Sequence, residues 1–186
     1  MPFNPQAYGR EVVAILSLDG NGERLMPLAG GECSSQEARA QLSAKTAKEL
    51  FPGANAPEAA LSGLWLYFSC MEEAHELAQQ ISSAEGSYWH AILHRQEPDP
   101  GNAAYWFRKV GTHPIFEPLQ SSAAEILRQA SGIDFQLPSR WDPLAFITFC
   151  ERARKQAVSA ALRAAAEIQR AEWQLLFDHC ARPRTS

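Results

Sequence analysis

The chain has 186 residues, 46% of them hydrophobic and 20% charged, which suits one domain spanning 1–186 with a substantial core. A net charge of −4 argues against general nucleic-acid binding, which needs a basic excess, and no apolar run approaches the ~18 residues of a membrane span. Residues 143–186 hold seven basic and four acidic side chains, so they are +3 against −7 for the rest, an asymmetry that solvated helix faces account for.

Phe3-Asn4-Pro5 opens the chain with a helix-start pattern: Asn4 as N-cap, Pro5 in the first turn, and Phe3 positioned to staple onto Tyr8. The expected helix runs to Leu18. The alternative is a short N-terminal hairpin, with 11–18 paired to 24–28 across Asp19-Gly20-Asn21-Gly22. A calcium loop starting at Asp19 is rejected, because its sixth and twelfth positions are Arg24 and Gly30. Ser34-Ser35-Gln36-Glu37 is read as a capping box opening a helix to Leu50, with a break near Ser43. Pro57 begins the next helix. Leu61, Leu64, Trp65, Phe68, Met71, His75, Ala78 and Ile81 keep helical spacing along one face, so a single helix 57–81 is expected at the centre of the core. Glu72 stands one turn before His75 on that helix.

The segment 87–114, SYWHAILHRQEPDPGNAAYWFRKVGTHP, gathers most of the reactive side chains and large aromatics. Ser82 and Glu85 have capping-box spacing, so a helix is expected from about Ser83 to Gln96. Tyr88, Trp89, Ile92 and Leu93 share its apolar face, while His90, His94 and Glu97 line up opposite at i, i+4 and i+7. Pro98 stops this helix, and Asp99-Pro100 starts another, which buries Ala103, Trp106, Phe107 and Val110. Asn102, Tyr105 and Lys109 share its outer face with Arg108 to one side, and Gly111 ends it in a left-handed conformation.

The pattern Tyr-Trp-His-Ala-x-x-His-Arg-x-Glu-x-Asp-x-Gly-Asn-x-x-Tyr-Trp-Phe-Arg-x-x-Gly-x-His-Pro resembles a family of uncharacterised bacterial and fungal proteins. The resemblance covers about 28 residues, 88–114 among them, and implies no activity and no catalytic residue.

Phe116–Gln129 is expected as one or two short helices, and Ile133–Arg140 as an extended connection. From Asp142-Pro143 to about Cys180 no proline or glycine intervenes, so a long C-terminal helix of up to about 38 residues is expected, kinked near Lys155–Ser159. Arg182–Ser186 is read as a frayed tail. Cys33, Cys70, Cys150 and Cys180 are scattered without a CxxC pair or a charged-then-apolar leader, and read as buried thiols of a cytoplasmic protein. The fold class is therefore all-α, a multi-helix bundle.

Two imidazoles at i and i+4 have metal-ligand spacing, so His90 and His94 are the candidate ligands of a metal ion. The turn Glu97-Pro98-Asp99 folds the two helices back on each other. That predicts one polar cluster of His90, His94, Glu97, Asp99, Asn102, Arg108 and His113, a candidate small-molecule or metal site. The alternative is packed histidines bonded to nearby carboxylates. Tyr88, Trp89, Tyr105 and Trp106 offer flat walls for a ligand, with Arg95, Arg108 and Lys109 to hold an anion. Neither a His-Glu-x-x-His motif, a phosphate loop nor a nucleophile elbow is present, and only one Glu-x-x-His pair, Glu72 and His75, exists. Cys70 and His75 lie five apart, which points them in different directions on a helix. A non-enzymatic reading makes the chain an interaction module, self-associating through Val158, Ala161, Leu162, Ala165, Ile168 and Trp173.

Overall fold

Most helices of this chain begin where a side chain takes up the free amides of a first turn. The computed structural model describes residues 3–156 and 159–183, which form ten α-helices, two short 3-10 turns and no strand. They are α1 (Arg10–Ser17), α2 (Gln36–Ser43), α3 (Ala47–Leu50), α4 (Pro57–Tyr67) and α5 (Met71–Ala78), followed by α6 (Ala84–Gln96), α7 (Pro100–Val110), α8 (Phe116–Gln129), α9 (Pro143–Arg154) and α10 (Ala160–Ala181). Ser35, Thr46, Ser83, Asp99, Asp142 and Ser159 each accept a backbone N–H from the helix that follows. The all-α expectation holds, with α10 as the long C-terminal helix of 22 residues.

The N-terminal run is interrupted. Pro5–Tyr8 is a 3-10 turn whose Asn4 cap accepts from the Gln6 amide, and Gly9 separates it from α1. Phe3 does reach Tyr8, their rings 5.7 Å apart. The hairpin does not form, because the Tyr67 hydroxyl donates to Asp19 O and accepts from the amides of Gly22 and Arg24, tying the 19–24 turn to α4 instead. Ser34 is not the cap of α2: its hydroxyl goes to Asp19, while the reciprocal capping box is Thr46–Glu49, at the start of α3.

The helix expected over 57–81 is two. Ser69 takes φ 58°, and the Cys70 amide returns to Trp65 O, so α5 turns back against α4 and α6. Cys70 is joined there to Cys33 by a disulfide, while Cys150 and Cys180 are free and buried. That pairing corrects the reading of four unpaired thiols and removes its support for a reducing compartment. The long helix expected from Pro143 likewise divides into α9 and α10. Ser159 caps the second, so the chain restarts rather than bends.

Two helices are buried on nearly every side. In α4, Ala59 through Tyr67 are all buried, and in α6 so is every residue from Gly86 to Gln96 except His94. They meet closely because position 63 is glycine: a Cβ there would lie 2.7 Å from the Trp89 ring. The Gly63 carbonyl accepts from Trp173 Nε1 at 2.7 Å, which fastens α10 to α4. α10 runs past both hydrophobic clusters. Trp173, Leu176 and Phe177 belong to the larger one, and Ala165 and Ile168 to the one shared with α8 and α9. The face proposed for self-association is therefore spent on the chain's own core, with Ala161 and Leu162 packed at its margin; Val158 lies outside the described residues. The tail also differs from expectation. Arg182 and Pro183 lie against the loop before α4, the Asn55 amide donating to Arg182 O and Ala54 bridging Pro183, whereas 184–186 lie outside the described residues. No helix among the described residues is long and apolar enough to cross a membrane.

Candidate metal centre

The Glu97–Asp99 turn brings α7 back along α6, and the break at Ser69 brings α5 to the other side of the same histidines. His90 and His94 stack with ring centroids 4.8 Å apart, as one helical turn requires. His75 meets both edge-on, at 4.6 Å from His90 and 5.5 Å from His94. Each of the three offers a ring nitrogen, and the three nitrogens lie within 4.8 Å of one another. The Trp106 ring stacks on His90 at 4.0 Å, and Lys109 Nζ sits 4.4 Å from the centre of an indole ring of Trp106.

His90 is 3% exposed, and its Nδ1 is buried without a hydrogen-bond partner. Burial, with His94, His75 and Lys109 adding positive charge nearby, holds its imidazole down to about 4, so the ring is neutral at physiological pH. His94 Nδ1 stands 2.9 Å from a carboxylate oxygen of Glu97, without the alignment of a hydrogen bond. Imidazole nitrogens with a carboxylate nearby are a donor set that transition metals use.

The seven candidate residues do not make one cluster. His90, His94 and Glu97 are together. Asp99 and Asn102 form the α7 cap beside them, Asp99 accepting from the Asn102 amide at 3.1 Å and from its side chain at 2.7 Å. These bonds hold the Asp99 carboxyl below its ordinary value. Arg108 is exposed and makes no hydrogen bond or ion pair among the described residues, because its position on α7 faces away from α6. His113 belongs to a different group, with Glu85 and His179.

The remaining walls and anion holders are also redistributed. Tyr88 and Trp89 are in the core, Tyr105 is 52% exposed, and Trp106 is half-buried on His90. Arg95 is committed inside the protein, where it pairs with Glu172 and lies 4.6 Å from the Phe146 ring. Glu172 also accepts from the Tyr88 hydroxyl at 3.1 Å, and Gln169 faces the same guanidinium at 3.4 Å. Cys70, being bonded to Cys33, leaves no thiol beside His75, and Glu72 is exposed and outside the histidine group.

In the second group, Glu85 Oε1 lies 3.9 Å from His113 Nε2 and 3.3 Å from His179 Nε2. Burial works to raise the Glu85 carboxyl, but hydrogen bonds from Ser83, its own amide and His179 prevail and hold it below its ordinary value. Burial and the neighbouring His179 hold His113 down to about 4, against the pull of Glu85. Sequence reasoning missed this group because Glu85 was read only as a cap residue and His179 lies 94 residues further along the chain. His75 had a signal, its place on a buried stripe, but nothing marked the break that turns it toward α6. No family model, curated protein or solved structure matches the chain.

Proposed function

We propose that the protein binds a divalent transition-metal ion of the zinc type through His75, His90 and His94. The observation that carries this reading is the convergence of three imidazoles from two helices, with their ring nitrogens within 4.8 Å. In a tetrahedral site with bonds of ~2.0–2.1 Å the donors stand roughly 3.3 Å apart, so closing the group takes side-chain adjustments of about 1.5 Å or less. Three nitrogen donors favour zinc, copper, nickel or iron over calcium and magnesium, which prefer oxygen. The buried, unpartnered Nδ1 of His90 supports the same reading, since a polar atom left without a partner is costly.

The chain's own residues divide the work. His75, His90 and His94 hold the ion, Glu97 places a carboxylate beside the His94 ring, and Trp106 shields His90 from water. Three protein donors leave a fourth position open, where a zinc-type ion supplies Lewis acidity and lowers the pKa of bound water. The net charge of −4 keeps nucleic acid out of this reading.

Calorimetric titration of chelator-treated protein with Zn²⁺, with Mg²⁺ as control, tests it. His75→Ala and His94→Gln are each expected to remove one equivalent of Zn²⁺ or weaken it more than tenfold, and Mg²⁺ is expected not to bind there. Folded variants that bind Zn²⁺ as the natural chain does would refute it.

A further inference from the structure

Helix α6 carries a second convergence on another of its sides. Glu85 lies in its first turn, five residues before His90, His113 comes from the turn before α8, and His179 from the last turn of α10. Four observations single this group out. The His113 side chain is 1% exposed, yet its Nε2 has no hydrogen-bond partner and faces Glu85 at 3.9 Å. His179 Nε2 approaches the same carboxylate oxygen at 3.3 Å, and all three donor atoms lie within 4.8 Å of one another. Asn55 steadies His179, its side-chain amide donating to the His179 carbonyl at 3.3 Å. Asn55 lines two cavities, one of about 590 Å³ reaching Glu85 and one of about 650 Å³ reaching His179.

We propose that Glu85, His113 and His179 form a second cation site, which takes a divalent transition-metal ion in a two-histidine, one-carboxylate set with positions left open to the cleft. Donors bound at ~2.0–2.2 Å stand roughly 3.0–3.5 Å apart, so the 3.3 Å edge already fits and the 3.9 Å edge needs a small closure. This donor set belongs to iron(II) and zinc chemistry, and the carboxylate offsets part of the ion's charge, which the three-histidine group does not. Two contacts oppose it: the Asn55 side-chain amide lies 3.4 Å from His179 Nε2 and must turn away for a metal to bind there, and the Ile115 amide points at His113 Nδ1 from 3.4 Å. Metal at His113 Nε2 moves the ring proton to Nδ1, and the Ile115 contact, long for a hydrogen bond, gives way.

The site is independent of His75, His90 and His94, and so is its test. The chelator-treated 186-residue chain is titrated with Co²⁺, read by equilibrium dialysis and by the visible absorption of the bound ion. The His75→Ala/His94→Gln variant is expected to retain one equivalent, which Glu85→Gln or His179→Ala then removes or weakens more than tenfold. In the otherwise natural chain Glu85→Gln likewise removes one equivalent. If the three-histidine group fails to bind, the natural chain holds one equivalent and Glu85→Gln abolishes it. The site is overturned if Glu85→Gln and His179→Ala, folded by circular dichroism, leave Co²⁺ binding unchanged in the natural chain.

Discussion

His90 is a neutral imidazole packed between Trp106 and two other imidazoles, and protonating it would place a charge where none is compensated. Its folded pKa of about 4 lies below the ordinary 6.5, so between those values the unfolded chain binds the extra proton and the folded chain does not. The resulting stability is complete above pH 6.5 and is lost as pH falls toward 4. Urea denaturation of metal-free protein is therefore expected to show a midpoint that declines across this window. His90→Gln should flatten the decline, leaving the share of His113, whose pKa is held equally low. In the proposed site Glu97 acts on the metal rather than on the fold, being exposed at the end of α6. Glu97→Gln is expected to weaken Zn²⁺ about 10–100-fold with little change in unfolding, measured by calorimetry and melting in parallel. At this scale the i, i+4, i+7 spacing made His90, His94 and Glu97 readable together. Arg108 misled because spacing along α7 shows which residues share a face but not which face meets α6.

Helix α6 carries the buried guanidinium of Arg95, and among the described residues Glu172 is the carboxylate paired with it. Arg95 and Glu172 are both buried, so removing either carboxylate or guanidinium leaves the other uncompensated. Glu172→Gln is expected to destabilise the protein by about 3–5 kcal/mol in chemical denaturation, without affecting metal affinity in the fraction that stays folded. Asp99→Ala removes the α7 cap and should cost about 1 kcal/mol. The starts of α7 and α9 were legible because Asp-Pro joins a capping side chain to a ring that suits the first turn. The end of α4 was not: Phe68, Ser69 and Cys70 contain no proline or glycine, and the turn is held by the Cys33 disulfide and the return of the Cys70 amide to Trp65. Nothing local to Arg95 revealed its partner 77 residues away, so it read as a surface anion holder.

At the scale of the whole molecule, α10 ties the parts together. It fills both hydrophobic clusters, supplies Glu172 to α6, and ends beside Asn55 and Glu85. The all-α class and the long terminal helix were visible in periodicity and alanine content. The candidate sites were visible only in part, because one depends on the break at Ser69 that turns α5 back against α6 and the other on His179, 94 residues after Glu85. The Cys33–Cys70 link closes a 37-residue separation, and reducing it is expected to lower stability by up to about 4 kcal/mol in denaturation run with and without reductant. The central claim, that His75, His90 and His94 hold a metal ion, is tested most directly by anomalous scattering from crystals grown with Zn²⁺. The account predicts an anomalous peak about 2.1 Å from one ring nitrogen of each of these three residues. Crystals that bind Zn²⁺ elsewhere, with no peak among the three rings, would contradict it.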